Sequence, residues 1–287
     1  MNTLSTIQAI VLISLIAAES IASYVYDMDL YDKKDFSISL ILGVISAIII
    51  LSTKTFFLGV LIFIHQYSIF KIGQNWYYWV MLLFICDISY YLIHLMSHKV
   101  RFFWASHMLH HSSQKFNFAT VMRGPVFYLS FRMIFWIPMV LIGFPPAMVI
   151  ITDSMIQLYT VFTHTTTIGR LGFFEKFMNT PAHHRLHHAS NPEYIDKNFG
   201  GLFIIWDRIF KTFINEKDKP VFGLPETKNI NSPVKLILLE WKLMIGDLKE
   251  ATSFYSGFKT IFGNPGSFQI KKQIATKKRL EKWNSIV

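Results

Sequence analysis

Residues 76–111 read WYYWVMLLFICDISYYLIHLMSHKVRFFWASHMLHH. An apolar run leads directly into His94 and His98, and then into His107, His110 and His111. A helix needs about 20 mostly apolar residues to cross a bilayer. The stretch therefore predicts a membrane span that delivers imidazoles at its end. In a helix, positions i, i+3 and i+4 lie on one face. His94/His98 and His107/His110/His111 can thus each converge on one spot.

The rest of the chain agrees with a membrane reading. Of its 287 residues, 52% are hydrophobic and only 16% charged, against about 25% charged in average soluble domains. Long apolar segments at 7–26, 36–52, 55–70 and 76–96 predict four spans. A further stretch, 125–162, is broken by Gly143-Phe144-Pro145-Pro146, a turn signal, and predicts a helical hairpin with both ends on one side. The first 26 residues carry no Lys or Arg, so they lack the charged start of a signal peptide and are expected to remain as a span. The expected fold is an all-α, polytopic membrane protein: four spans, a hairpin and a histidine-rich di-metal cap. Its expected parts are membrane spans in 1–75, a catalytic domain in 76–215 and a basic, partly amphipathic region in 216–287.

Charge sets the expected orientation. With the N-terminus inside, an outer loop would hold Asp27, Asp29, Asp32 and Asp35 against Lys33 and Lys34. Regions 99–123 and 170–287 hold 4 and 19 Lys or Arg residues, together 23 of the chain's 28. By the positive-inside rule these regions, and the histidines among them, face the cytoplasm. That rule also accounts for the net charge of +10 without nucleic acid as a partner. A bacterial inner membrane is the expected location rather than the endoplasmic reticulum. Segment 233–250 reads as a helix lying on the membrane, and Lys271, Lys272, Lys277, Lys278, Arg279 and Lys282 form a basic end.

Nine of the 11 histidines fall in three clusters, the third being His183-His184-Arg185-Leu186-His187-His188. Neutral imidazole is a good ligand for iron, zinc, copper or nickel. Eight or more imidazoles are too many for one metal, so two are implied. Leu95 follows His94, which excludes the His-Glu-x-x-His zinc motif. No Glu precedes a His by three residues, which excludes the Glu-x-x-His carboxylate bundles. The single cysteine, Cys86, leaves no disulfide or iron–sulfur motif. A metal transporter is the rival class, but it would favour ligands near the bilayer midplane rather than at span ends.

The clusters resemble the three histidine boxes of the fatty acid hydroxylase and sterol desaturase superfamily. Asn179-Thr-Pro-Ala-His-His-Arg-Leu-His-His188, Tyr194-Ile-Asp-Lys-Asn-Phe-Gly-Gly201, Ile205-Trp-Asp-Arg-Ile-Phe210 and Asp87-Ile-Ser-Tyr-Tyr-Leu-Ile-His94 are similar to its alkylglycerol monooxygenase branch. The resemblance implies two iron ions, dioxygen chemistry and a long-chain lipid substrate, hydroxylated or desaturated. The leading candidate is an alkylglycerol ether lipid; a sterol, fatty acyl chain or carotenoid is the alternative. It carries over as metal ligands His94, His98, His107, His110, His111, His184, His187 and His188, while His164 and His183 are each either a ligand or a supporting residue. Asp87 and Tyr91 share a helix face with His94 and His98 and are the candidate catalytic pair. Asp196, Asn198 and Asp207 are candidates to brace the third box; Glu19 has no visible partner, and isolated His65 is left out. No nucleotide-binding, cytochrome or iron–sulfur motif supplies electrons. A separate donor is expected, either tetrahydrobiopterin, as in the alkylglycerol monooxygenases, or a redox protein. With the boxes at the interface, the substrate's polar end is expected near the cytoplasm and its tail between the spans.

Overall fold

The computed structural model describes residues 2–124 and 127–265. Their regular elements are all helices, with no strand among the described residues; two isolated bridges, Met178 to Phe203 and Ala189 to Phe222, are the only β pairing there. Three helices are long and apolar enough to cross a membrane: α1 (Asn2–Val25), α2 (Lys33–His65) and α3 (Trp76–Lys99). Ile10, Ile13, Ile48 and Phe56 are exposed on α1 and α2, as suits side chains facing lipid.

The second and third expected spans are one helix. Nothing at Thr53-Lys54 breaks α2: there is no Gly or Pro, and the Thr53 hydroxyl donates back to the Ile49 carbonyl at 2.7 Å. The 33 residues extend about 50 Å, more than a bilayer core of about 30 Å. Three crossings rather than four precede the first histidine box. The N-terminus therefore lies opposite the boxes, and the acidic loop lies beside them. Asp29 pairs with Lys115 at 2.7 Å, and Asp35 pairs with buried Arg123 at 2.7 Å. The acidic groups thus offset basic groups on the same face instead of marking the opposite one.

The hairpin is present as α5 (Tyr128–Ile142) and α6 (Pro146–Phe162). Its turn meets the loop after α2, where the Ile69 and Phe70 amides donate to the Leu141 and Ile142 carbonyls at 2.8 and 3.1 Å. Gly143 has φ 133°, and a Cβ there would sit 2.2 Å from the Phe70 carbonyl oxygen, so only glycine fits. Leu61, Leu82, Trp136, Val140, Phe144 and Val149 join α2, α3, α5 and α6 in one core. Arg132 and Asp153 pair across the two arms.

Helix α4 (Arg101–His111) follows α3 after a single extended residue, Val100. Helix α9 (Pro233–Lys249), expected to lie on the membrane, docks on α4. Buried Arg101 reaches Glu240 at 2.6 Å and Asp247 at 2.7 Å, and Leu236 packs with Ile38, Leu42 and Leu109. The other face still exposes Val234, Leu238 and Ile245. Helix α10 (Phe254–Phe262) follows. The basic end from Lys271 lies outside the described residues.

Candidate metal centre

Four elements supply the histidines. The last two turns of α3 carry His94 and His98, and α4 carries His107, His110 and His111. His164 follows α6, and α7 (Pro181–His187) and its cap carry His184, His187 and His188. They form two groups: His94, His98, His107, His111 and His187; and His110, His164, His184 and His188. Within each, the ligand atoms lie within 4.8 Å of one another. The groups are adjacent, for the His111 and His188 rings stack with centroids 4.4 Å apart. None of the nine is more than 9% exposed.

The ring orientations are fixed from behind. His94 Nδ1 lies 2.8 Å from the Phe199 carbonyl, His187 Nδ1 2.9 Å from the Lys197 carbonyl, and His164 Nδ1 2.6 Å from the Thr160 carbonyl. A carbonyl only accepts, so each Nδ1 carries the proton and each Nε2 turns a lone pair inward. The Nε2 atoms of His94 and His187 are buried without a hydrogen-bond partner among the described residues. Others crowd together: His98 to His111 and His111 to His107 at 3.1 Å, His110 to His164 and His164 to His184 at 3.0 Å. With metal–nitrogen bonds of about 2.1 Å, neighbouring ligands on an octahedral ion are about 3.0 Å apart. The donor set therefore fits two metals, one per group. Burial first, and neighbouring imidazoles second, hold His107, His110, His111, His184, His187 and His188 well below the usual histidine range. They are neutral, as metal ligation requires.

Three of the candidate residues lie apart from the two histidine groups. His183 stands outside both groups, packed edge-on against Phe213 at 5.4 Å. It directly precedes His184, and successive helical residues point about 100° apart. Asp87 holds no histidine. Its fully buried carboxylate accepts from the Leu202 amide at 2.6 Å, the Phe203 amide at 3.1 Å and the Trp206 indole at 2.8 Å. Tyr91 stacks on Phe210 and its hydroxyl meets Thr212 at 3.0 Å. Neither Asp87 nor Tyr91 touches a histidine through these hydrogen bonds, which run to the segment after the third box. Both residues contact the 199–212 segment, which contains the short helix α8 (Ile205–Ile209) and presents the Phe199 carbonyl to His94.

The same segment explains the braces. Asp207 accepts from the Phe199 and Gly200 amides, both at 2.8 Å, and from Thr212 at 2.6 Å. Asn198 donates to the His183 and Ile214 carbonyls. Asp196 reaches His98 Nδ1 at 3.5 Å while held by Lys99 at 2.5 Å. A Cβ on Gly201 would meet Asp87 Oδ1 and the Tyr90 ring at 2.8–2.9 Å, so the loop and α3 touch only because that side chain is absent. Glu19 does have partners: Tyr31 at 2.7 Å, the Phe118 amide at 2.8 Å and Thr165, next to His164. Backbone carbonyls as partners of His94, His164 and His187 leave no signal in sequence.

On the membrane side of His107, His110 and His164 opens a cavity of about 430 Å³ between α1, α2, α5 and α6. Its size is within the range of about 300–1,000 Å³ typical of small-molecule sites. Two adjacent buried histidine groups at the end of a cavity among apolar helices define a class of site, and comparison shows what it is similar to. The histidine-bearing segment, residues 79–212, matches the fatty acid hydroxylase family. The chain is 38% identical to the human alkylglycerol monooxygenase over 180 residues, 63% of this chain and 40% of that protein. It is 36% identical to the Xenopus tropicalis alkylglycerol monooxygenase over 191 residues, 67% of this chain and 42% of that protein. It is 27% identical to the Rhizobium tropici ornithine lipid hydroxylase over 134 residues, 46% of this chain and 40% of that protein. The chain thus spans less than half the length of these relatives. No solved structure matches it significantly.

Proposed function

We propose that this chain is a membrane-bound lipid monooxygenase with two iron ions held by nine histidines, acting on a long-chain lipid, with an alkylglycerol ether lipid as leading substrate. The observation that carries the reading is the meeting of the two imidazole groups with a lipid-sized cavity inside the membrane helices. Similarity to the alkylglycerol monooxygenases supports the choice of lipid.

Bound iron would supply what side chains cannot, the reductive activation of dioxygen and the cleavage of an unactivated C–H bond. The chain's own residues do the rest. His94, His98, His107, His111 and His187 hold one site, and His110, His164, His184 and His188 the other. The Phe199, Lys197 and Thr160 carbonyls fix the ligand tautomers. A lipid in the cavity would bring a carbon beside His107, His110 and His164, which line it. Overall, a C–H bond next to the ether oxygen becomes C–OH. The second oxygen atom leaves as water, using two electrons and two protons from a separate donor, tetrahydrobiopterin or a redox protein. The hemiacetal then breaks to a fatty aldehyde and glycerol. The excess of Lys and Arg on the histidine side supports a cytoplasmic orientation.

The test is to load purified protein with iron and supply an alkylglycerol, dioxygen and each donor in turn. Oxygen-dependent fatty aldehyde and two irons per chain are expected. Hydroxylation of a sterol or acyl chain without aldehyde would refute the ether-lipid assignment, and absence of bound iron would refute the oxygenase.

A further inference from the structure

Four large apolar side chains are exposed in a segment too short to register as a span. Leu171, Phe173, Phe174 and Phe177 are between 45% and 66% exposed, on and around a 3₁₀ turn, Gly172–Lys176. Contiguous exposed apolar side chains mark a protein or membrane contact. Neighbouring segments fix the height of this one. The Ile204 amide donates to the Phe177 carbonyl and the Asn179 amide to the Leu202 carbonyl, both at 2.9 Å. Phe203 stacks on Phe84 of α3 with ring centroids 5.2 Å apart. Phe84 precedes His94 by ten residues, about 15 Å along the helix. The segment is thus tied to α3 on the membrane side of the histidines. Phe84 is also the last large apolar residue that α3 exposes, after Trp76, Tyr77, Val80 and Met81. The outward apolar surface of α3 ends where Phe203 meets it, and residues 171–177 continue it.

We propose that residues 171–177 insert into the lipid leaflet on the histidine side and anchor the third box to anionic lipid. The inference needs the chain to cross a membrane but not to be an oxygenase. Lipid demands that backbone polar groups be met internally, and the turn does this. The Phe177 and Met178 amides donate to the Phe174 carbonyl at 3.1 and 2.8 Å, and the Leu171 amide donates to Glu175 at 2.9 Å. The only acidic side chain of the segment is thereby turned to its own backbone. The basic neighbours Arg170, Lys176 and Arg208 are exposed. The Lys176 ammonium lies 5.5 Å from the Phe173 ring, and the Arg208 guanidinium 3.8 Å from the Phe213 ring. Cations beside exposed aromatics suit long side chains that reach from apolar surface to headgroups, and they complement anionic ones. Helix α7, with its histidines, begins at Pro181, four residues beyond Phe177. The anchor therefore sets the height of the third box above the lipid.

The test is depth measurement by nitroxide labelling of the full chain in nanodiscs, with Cys86 replaced by Ser. One set of nanodiscs is phosphatidylcholine, the other an equal mixture with phosphatidylglycerol. Exposed Glu193→Cys and Ile48→Cys in α2 calibrate water and hydrocarbon. A label at Phe174→Cys is expected to be accessible to oxygen and shielded from a water-soluble nickel chelate, about 5–10 Å below the headgroups. Phe173→Cys repeats the measurement should Phe174→Cys fold poorly. Adding Arg170→Glu and Lys176→Glu should make the label shallower in the anionic nanodiscs and leave it unmoved in phosphatidylcholine. Nickel accessibility equal to that of Glu193→Cys overturns the insertion. Shielding from both oxygen and nickel also overturns it, because a second copy or another protein then covers the segment. A depth unmoved by charge reversal in both lipids overturns the anionic preference.

Discussion

Asp87→Ala removes a carboxylate that three donors share, and the structure gives the size of the effect. The Leu202 and Phe203 amides and the Trp206 indole would lose an acceptor at 2.6, 3.1 and 2.8 Å. Hydrogen bonds to a charged group contribute about 1.5–3 kcal/mol each, and a buried donor left unmet costs about 1–3 kcal/mol. These terms are not additive, and removing a buried carboxylate also removes its desolvation cost. A net loss of about 3 kcal/mol is expected, which for a chain of this size lowers the melting temperature by about 6–12 °C. The loop that presents the Phe199 carbonyl to His94 would shift. Loss of such an outer partner weakens metal binding by about 10–100-fold. The assay is thermal unfolding of the iron-loaded protein in detergent, with bound iron measured during chelator titration. Asp87→Asn keeps one acceptor oxygen and should fall between Ala and wild type. If Asp87→Ala melts within about 2 °C of wild type and keeps its iron at the same chelator concentration, the bracing argument is wrong.

Gly201→Ala should reproduce the loss of iron without removing any hydrogen-bonding group, because its Cβ would press on Asp87 and Tyr90; metal analysis checks this. His184→Ala should lower bound iron and abolish lipid oxidation, whereas His183→Ala should leave iron content unchanged and His65→Ala should leave activity largely intact. Burial and neighbouring imidazoles hold His107, His110, His111, His184, His187 and His188 well below the unfolded value of about 6.5, so the unfolded chain takes up protons first. Stability of the metal-free protein should be complete above pH ~6.5 and fall as pH drops below it; chemical unfolding at pH 7.5 and 5.5 tests the sign. With Cys86 replaced by Ser as background, Ser68→Cys should react with an impermeant thiol reagent from the side opposite Asp29→Cys and Lys217→Cys, since three spans put the acidic loop with the histidines; labelling of Ser68→Cys and Asp29→Cys from one side would restore the four-span topology.

The sequence by itself determined the chemistry and the class. Imidazoles at i, i+3 and i+4 converge wherever a helix forms, and long apolar runs have few alternatives to a membrane. Both signals are local, so His94, His98, the His107 cluster, His184, His187 and His188 were legible before any fold. Tertiary structure decided what depends on distant partners. Which histidines share a group follows from how α3, α4 and α7 meet, and this separates His183 from His184 and brings in His164. The partners of Asp87 lie on a loop 115 residues away in sequence, and those of Glu19 include Phe118 and Thr165. The number of spans turned on whether two apolar segments bend at Thr53-Lys54. Apolar composition permits either outcome; only an unbroken hydrogen-bonded backbone through α2, packed against the hairpin, selects one, and with it the side on which the N-terminus lies.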